Sequence, residues 1–75
     1  MKLNLRGAIR KQARQASEAR ALVCGFFGST STTDLWMRSE NPLLGGLRPV
    51  EMIRLGRGDR LIKFIKNSLE ENKRP

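Results

Sequence analysis

Histidine and tyrosine are absent from this sequence, and cysteine occurs once, as Cys24. Without histidine the chain lacks the commonest general base and a principal zinc ligand. A lone cysteine closes no disulfide within the chain, which excludes a disulfide-stapled secreted scaffold and points to a reducing, cytoplasmic setting. Cys24 lies in the apolar stretch Leu22-Val23-Cys24-Gly25-Phe26, where a thiol behaves as a small hydrophobe and has no base to activate it. Acidic residues are scarce, seven in all, and only Glu70 and Glu71 adjoin. Neighbours on a helix point in different directions, so that pair makes a poor acid–base or metal site. No apolar run approaches the roughly 20 residues that cross a bilayer, and Met1 to Arg6 has no apolar block of the secretory type. The expectation is a chain with no catalytic site, no metal, no cofactor and no membrane span: a binding protein and not an enzyme.

What is present is positive charge. Fifteen basic residues against seven acidic ones give a net charge of +8 on 75 residues. Such a surplus favours nucleic acid, anionic lipid or an acidic protein surface without choosing among them. It crowds the start of the chain, where Lys2, Arg6, Arg10, Lys11, Arg14 and Arg20 face Glu18 alone. Phosphate contacts by Arg6, Arg10, Lys11, Arg14 and Arg20 are one reading; a solvated helix face is the other. The length allows a single domain with a thin core, of the kind that gains stability from a partner.

The hydrophobic pattern is helical throughout, and nothing alternates over a strand's length. It predicts an all-α bundle of about four helices, the first long and the others short. The first helix runs from Leu5 to Cys24, with Ile9, Ala13, Ala16 and Val23 at helical spacing and Gly25 as its stop. The small residues Ala13, Ala16 and Ala19 would let another helix approach closely, which suggests a homodimer. Phe26 and Phe27 read as core anchors. Ser31 with Asp34 has the spacing of a capping box for a short helix carrying Leu35, Trp36 and Met37 and ending near Arg38. Asn41-Pro42 stops that helix, Gly45-Gly46 breaks the chain again, and Pro49 suits the first position of a third helix that ends at Gly56. The last helix, Asp59 to Asn72, puts Leu61, Ile62, Ile65 and Leu69 on one stripe with Phe64 at its edge. The glycines at 45–46 and 56–58 follow no strand and match no nucleotide-binding signature, so they read as helix terminators. Trp36 could stack on a base, but a sole tryptophan on a short helix belongs in the core.

From Trp36 onward the sequence reads Trp36-Met37-Arg38-Ser39-Glu40-Asn41-Pro42-Leu43-Leu44-Gly45-Gly46-Leu47-Arg48-Pro49. A Trp, an Asn a few positions on, Leu-x-Gly, then a Pro leading an amphipathic helix resembles the toxin-binding domain of Xre/MbcA/ParS-type antitoxins. Ala21 to Gly28 is similar to the glycine-rich stretch before the family's Trp, and Gly58 to Ile65 to its closing helix. The resemblance covers about residues 17–72, leaving residues 1–16 as a basic helical extension too short for the DNA-binding unit that family members carry there. It implies a protein partner, commonly a RES-domain toxin that consumes NAD, inhibited by covering its active-site entrance with the C-terminal portion. The contacts expected from position are Lys63, Lys66, Asn67, Glu70, Lys73 and Arg74. Two alternatives stand beside this reading: a phage or mobile-element protein using the same fold against a host protein, and a basic nucleic-acid-binding protein.

Overall fold

The computed structural model describes residues 5–72, without the side chains of Leu5, Arg6, Ala8 and Asn72. The expected all-α bundle forms. Helix α1 spans Leu5–Phe27, α2 Thr30–Arg38, α3 Pro49–Arg54 and α4 Gly58–Asn72, with a 3-10 turn at Pro42–Leu44. No described helix is long and apolar enough to cross a membrane.

Helices α1 and α4 form the frame. Gln15 Nε2 donates to Asp59 Oδ1 at 2.8 Å, Lys11 Nζ lies 3.7 Å from Asp59 Oδ2, and Lys66 Nζ lies 3.3 Å from Glu18 Oε2. Contacts therefore climb both helices together, and the two run in the same direction. Because α4 begins beside Gln15, the first turns of α1 run past its start, leaving Ile9 64% exposed. The approach is close. A Cβ built on Gly58 would overlap the Gln15 side-chain amide, and Ala19, one turn above Gln15, is fully buried. Around this seam the core collects Val23 from α1, Met37 from α2, Met52 and Ile53 from α3, and Leu61, Ile62 and Ile65 from α4. Burying such aliphatic side chains is worth about 1.5–3 kcal/mol each before entropy is counted.

Several local expectations need correction. Gly25 does not end α1. The helix continues to Phe27 and stops at Gly28, whose φ of 69° is the left-handed conformation and whose N–H donates to Cys24 O at 2.7 Å. The cap of α2 is Ser29, not Ser31: its Oγ accepts from Thr32 N at 3.2 Å. Thr33, buried behind it, donates its hydroxyl to Ser29 O at 2.7 Å. Asp34, freed from capping, pairs with Arg20 of α1. Glu51 accepts from the Arg48 N–H at 3.0 Å, so α3 starts at Pro49 as the sequence suggests. Of the small-residue stripe, Ala19 is inside the core and Ala16 packs against it, while Ala13 is exposed. Phe26 and Phe27 are not core anchors, and the centre belongs to Met37 and Leu61 in place of Trp36.

Two pairs of substitutions test this frame. A Cβ at Gly25 meets nothing within 4 Å, so Gly25→Ala should stabilise by about 0.5–1 kcal/mol through helix propensity. Gly28→Ala should destabilise by about 1–2 kcal/mol, the strain of a left-handed alanine. Urea melts with the opposite order would place the helix end at Gly25. Gly58→Ala should displace the Gln15 amide and break its hydrogen bond, a cost of about 1–3 kcal/mol for a buried polar group. In a Gln15→Ala background the same change should be neutral or better. Additive effects in this double-mutant cycle would contradict the close approach.

Candidate functional site

Between the upper parts of α1 and α4, the bundle leaves a groove of about 220 Å³. Its α1 wall is Val23, Phe26 and Phe27, and its α4 wall is Phe64, Ile65, Ser68 and Leu69. Trp36 and Asn41 close it from α2 and the loop that follows, and Leu43 overhangs it. The chain has three phenylalanines, one tryptophan and no tyrosine. All four of these rings line this one groove.

Local structure explains why. The extra turn of α1 beyond Gly25 carries Phe26 and Phe27 to the rim, where their rings meet edge to face at 5.1 Å. They remain 53% and 39% exposed. Trp36 sits one position from the buried Met37 and is half-buried, packed against the core on one side and open to the groove on the other. Asn41 fixes the opposite rim. Its backbone N–H donates to Leu47 O at 3.0 Å, and its O accepts from Leu44 N at 2.9 Å and Gly46 N at 3.0 Å. Its side chain accepts from Leu43 N at 2.9 Å. This closed loop tucks Leu44 against the core and leaves Leu43 78% exposed at the groove's lip. Chemically the site offers aromatic and aliphatic surface with the polar groups of Asn41 and Ser68 at its margins. Among the described residues no group of His, Cys, Asp or Glu could hold a metal ion.

Of the residues picked from the sequence as partner contacts, those that the structure describes do not line this groove. Lys63, Lys66, Asn67 and Glu70 are on α4, whose groove wall is made by Phe64, Ile65, Ser68 and Leu69. Lys66 turns to α1 and pairs with Glu18. Lys73 and Arg74 lie outside the described residues. The basic residues of the first helix do not gather into one set. Arg10, Lys11 and Arg14 are on its lower half, Lys11 held to Asp59, while Arg20 faces α2 and is held by Asp34; the Arg6 side chain is outside the described residues. Hydrophobicity alone sends Phe26 and Phe27 to the core, because it does not separate a buried ring from one waiting at a rim. The signal that bears on them is scarcity: with so few rings in the chain, their convergence is informative.

The sequence profile of the family described as the antitoxin Xre/MbcA/ParS C-terminal toxin-binding domain matches residues 19–62. The match takes in Ala19 to Phe27 of α1, all of α2 and α3, and Gly58 to Ile62 of α4, with Phe26, Phe27, Trp36, Asn41 and Leu43 of the groove inside it. Neither the curated proteins nor the solved structures give a match to this chain. With more than half of its length matched, the chain belongs to the Xre/MbcA/ParS antitoxin toxin-binding family, whose domain binds a protein partner.

Proposed function

We propose that this chain binds and inhibits a toxin protein through α4 and the groove beside it. The convergence of every aromatic ring on one partly open groove, in a member of a toxin-binding family, is the observation that carries this reading. Protein interfaces draw most of their energy from a few desolvated anchors, among which aromatic residues are enriched, surrounded by a polar rim. Phe26 and Leu43 already stand in water, so covering them gains apolar burial without unfolding anything. Lys63, Asn67 and Glu70, exposed on α4, would supply a rim on one side, and Lys73 and Arg74 are the further contacts we propose. Lys66 contributes less, because it is occupied by Glu18. The partner we take first is an NAD-consuming RES-domain toxin, with inhibition by covering its active-site entrance.

Groove and rim make separable demands. Phe26→Ser and Leu43→Ser alter exposed positions, so stability should change by under about 1 kcal/mol. Each should weaken the complex at least tenfold, about 1.4 kcal/mol. Charge reversal at Lys63 and Glu70 should have a smaller, salt-sensitive effect, seen mainly in the association rate. Calorimetric titration against a RES-domain toxin, with NAD consumption as a second readout, decides the matter. Groove variants that bind as tightly as the wild type would remove the groove from the interface. A wild-type chain that neither binds nor inhibits such a toxin would remove the partner class.

A further inference from the structure

Three of the ten residues around the groove carry polar side chains: Trp36 on α2, Asn41 in the loop that follows and Ser68 on α4. The other seven are apolar, and none of the ten is charged. Each of the three holds a hydrogen-bond donor: the Trp36 indole N–H, the Asn41 side-chain amide N–H groups and the Ser68 hydroxyl. None of these donates to a described residue. Among the described residues no buried side-chain nitrogen or oxygen lacks a partner, so the three donors are open to solvent and not sealed inside. The Asn41 amide is held in place from its other side, where Oδ1 accepts from Leu43 N at 2.9 Å. The lining side chains thus offer apolar surface and spare donors.

We propose that the groove seats one large apolar side chain from an uncharged, extended segment of the partner protein, whose main-chain carbonyls accept from Trp36, Asn41 and Ser68. This rests on the groove being the surface that meets the partner. Complementarity selects the occupant. Covering a donor without giving it an acceptor forfeits its hydration, so a purely hydrocarbon surface fits poorly. A carboxylate would enter with no lining cation to pair it. A neutral carbonyl meets both demands. Carbonyls inside a helix are already bonded to their own chain, so an extended loop segment is the one with carbonyls free. Size agrees. A groove of about 220 Å³ is smaller than the roughly 300–1,000 Å³ of sites for drug-sized ligands, enough for a side chain or two and too little for a helix face. Trp36, Asn41 and Ser68 then decide which segment fits, and the rings supply the burial.

The probe is N-acetyl-phenylalaninamide, a neutral apolar side chain between two carbonyls, titrated at millimolar concentration into the full chain labelled with heavy nitrogen for NMR. The Trp36 indole N–H and the Asn41 side-chain amide should shift together, because both are donors at the groove. Asn41→Asp keeps an acceptor for Leu43 N and removes the donors, while Ser68→Ala removes one hydroxyl and leaves the loop alone. The first should weaken binding by about fivefold and the second by about threefold, the scale of a lost neutral hydrogen bond, with thermal melting nearly unchanged. Toluene, which has the ring and no acceptor, should bind both variants as it binds the wild type. The proposal is overturned if the amide leaves the two signals unmoved, if it binds both variants as tightly as the wild type, or if toluene is weakened equally. Calorimetry with a RES-domain toxin tests the underlying reading separately. A toxin that ignores the wild type while the amide behaves as expected removes that partner class and upholds the groove's chemistry. A toxin that binds the wild type and both variants equally overturns the proposal.

Discussion

Gly58 stands where α4 begins, against the amide of Gln15, and one turn further along α1 the small side chain of Ala19 is sealed inside the core. Lacking side-chain bulk at these two levels, the helices come together closely at the bottom of their shared seam and run upward in the same direction. Everything else takes its place from that alignment. Below the seam, α1 overruns the start of α4, and Lys11 reaches Asp59 there. Above it, Phe26, Phe27, Phe64 and Leu69 line the groove.

The distribution of rings follows a trade-off that small domains face. A core this thin would gain most from a buried tryptophan or phenylalanine, yet the fully covered positions hold Met37, Leu61 and Thr33. Methionine and aliphatic chains fill the interior, while the rings remain at a surface where a partner can complete their burial. Such a chain is less stable alone than it could be and gains more on association.

Helix number, the break at Asn41-Pro42, the start of α3 at Pro49 and the core stripe of α4 are legible in the sequence, because each rests on a local rule. Proline fixes its own backbone, and a stripe of Leu61, Ile62 and Ile65 has one helical solution. Sequence reasoning goes astray where two residues of one type compete within a turn. Gly25 and Gly28 both permit a helix end, and only the second is used, since the hydrogen bond to Cys24 O needs that register. Ser29 and Ser31 both cap well, and the choice follows the choice of glycine. Once α1 gains that extra turn, Phe26 and Phe27 swing to the rim, so one local ambiguity relocates half of the chain's rings. The contacts expected on α4 from position alone fall beside the groove wall, because chain position does not tell which face of a helix borders an opening.

Trp36 is the chain's only tryptophan, and it faces the groove with one side of its ring. Labelled as fluorotryptophan it gives a single fluorine resonance that reports on the groove alone. On titration with a RES-domain toxin, that line should shift and broaden in step with complex formation measured by calorimetry. A line that stays unmoved while the complex forms would show that the toxin docks elsewhere, and that the convergence of rings is a matter of folding and not of binding.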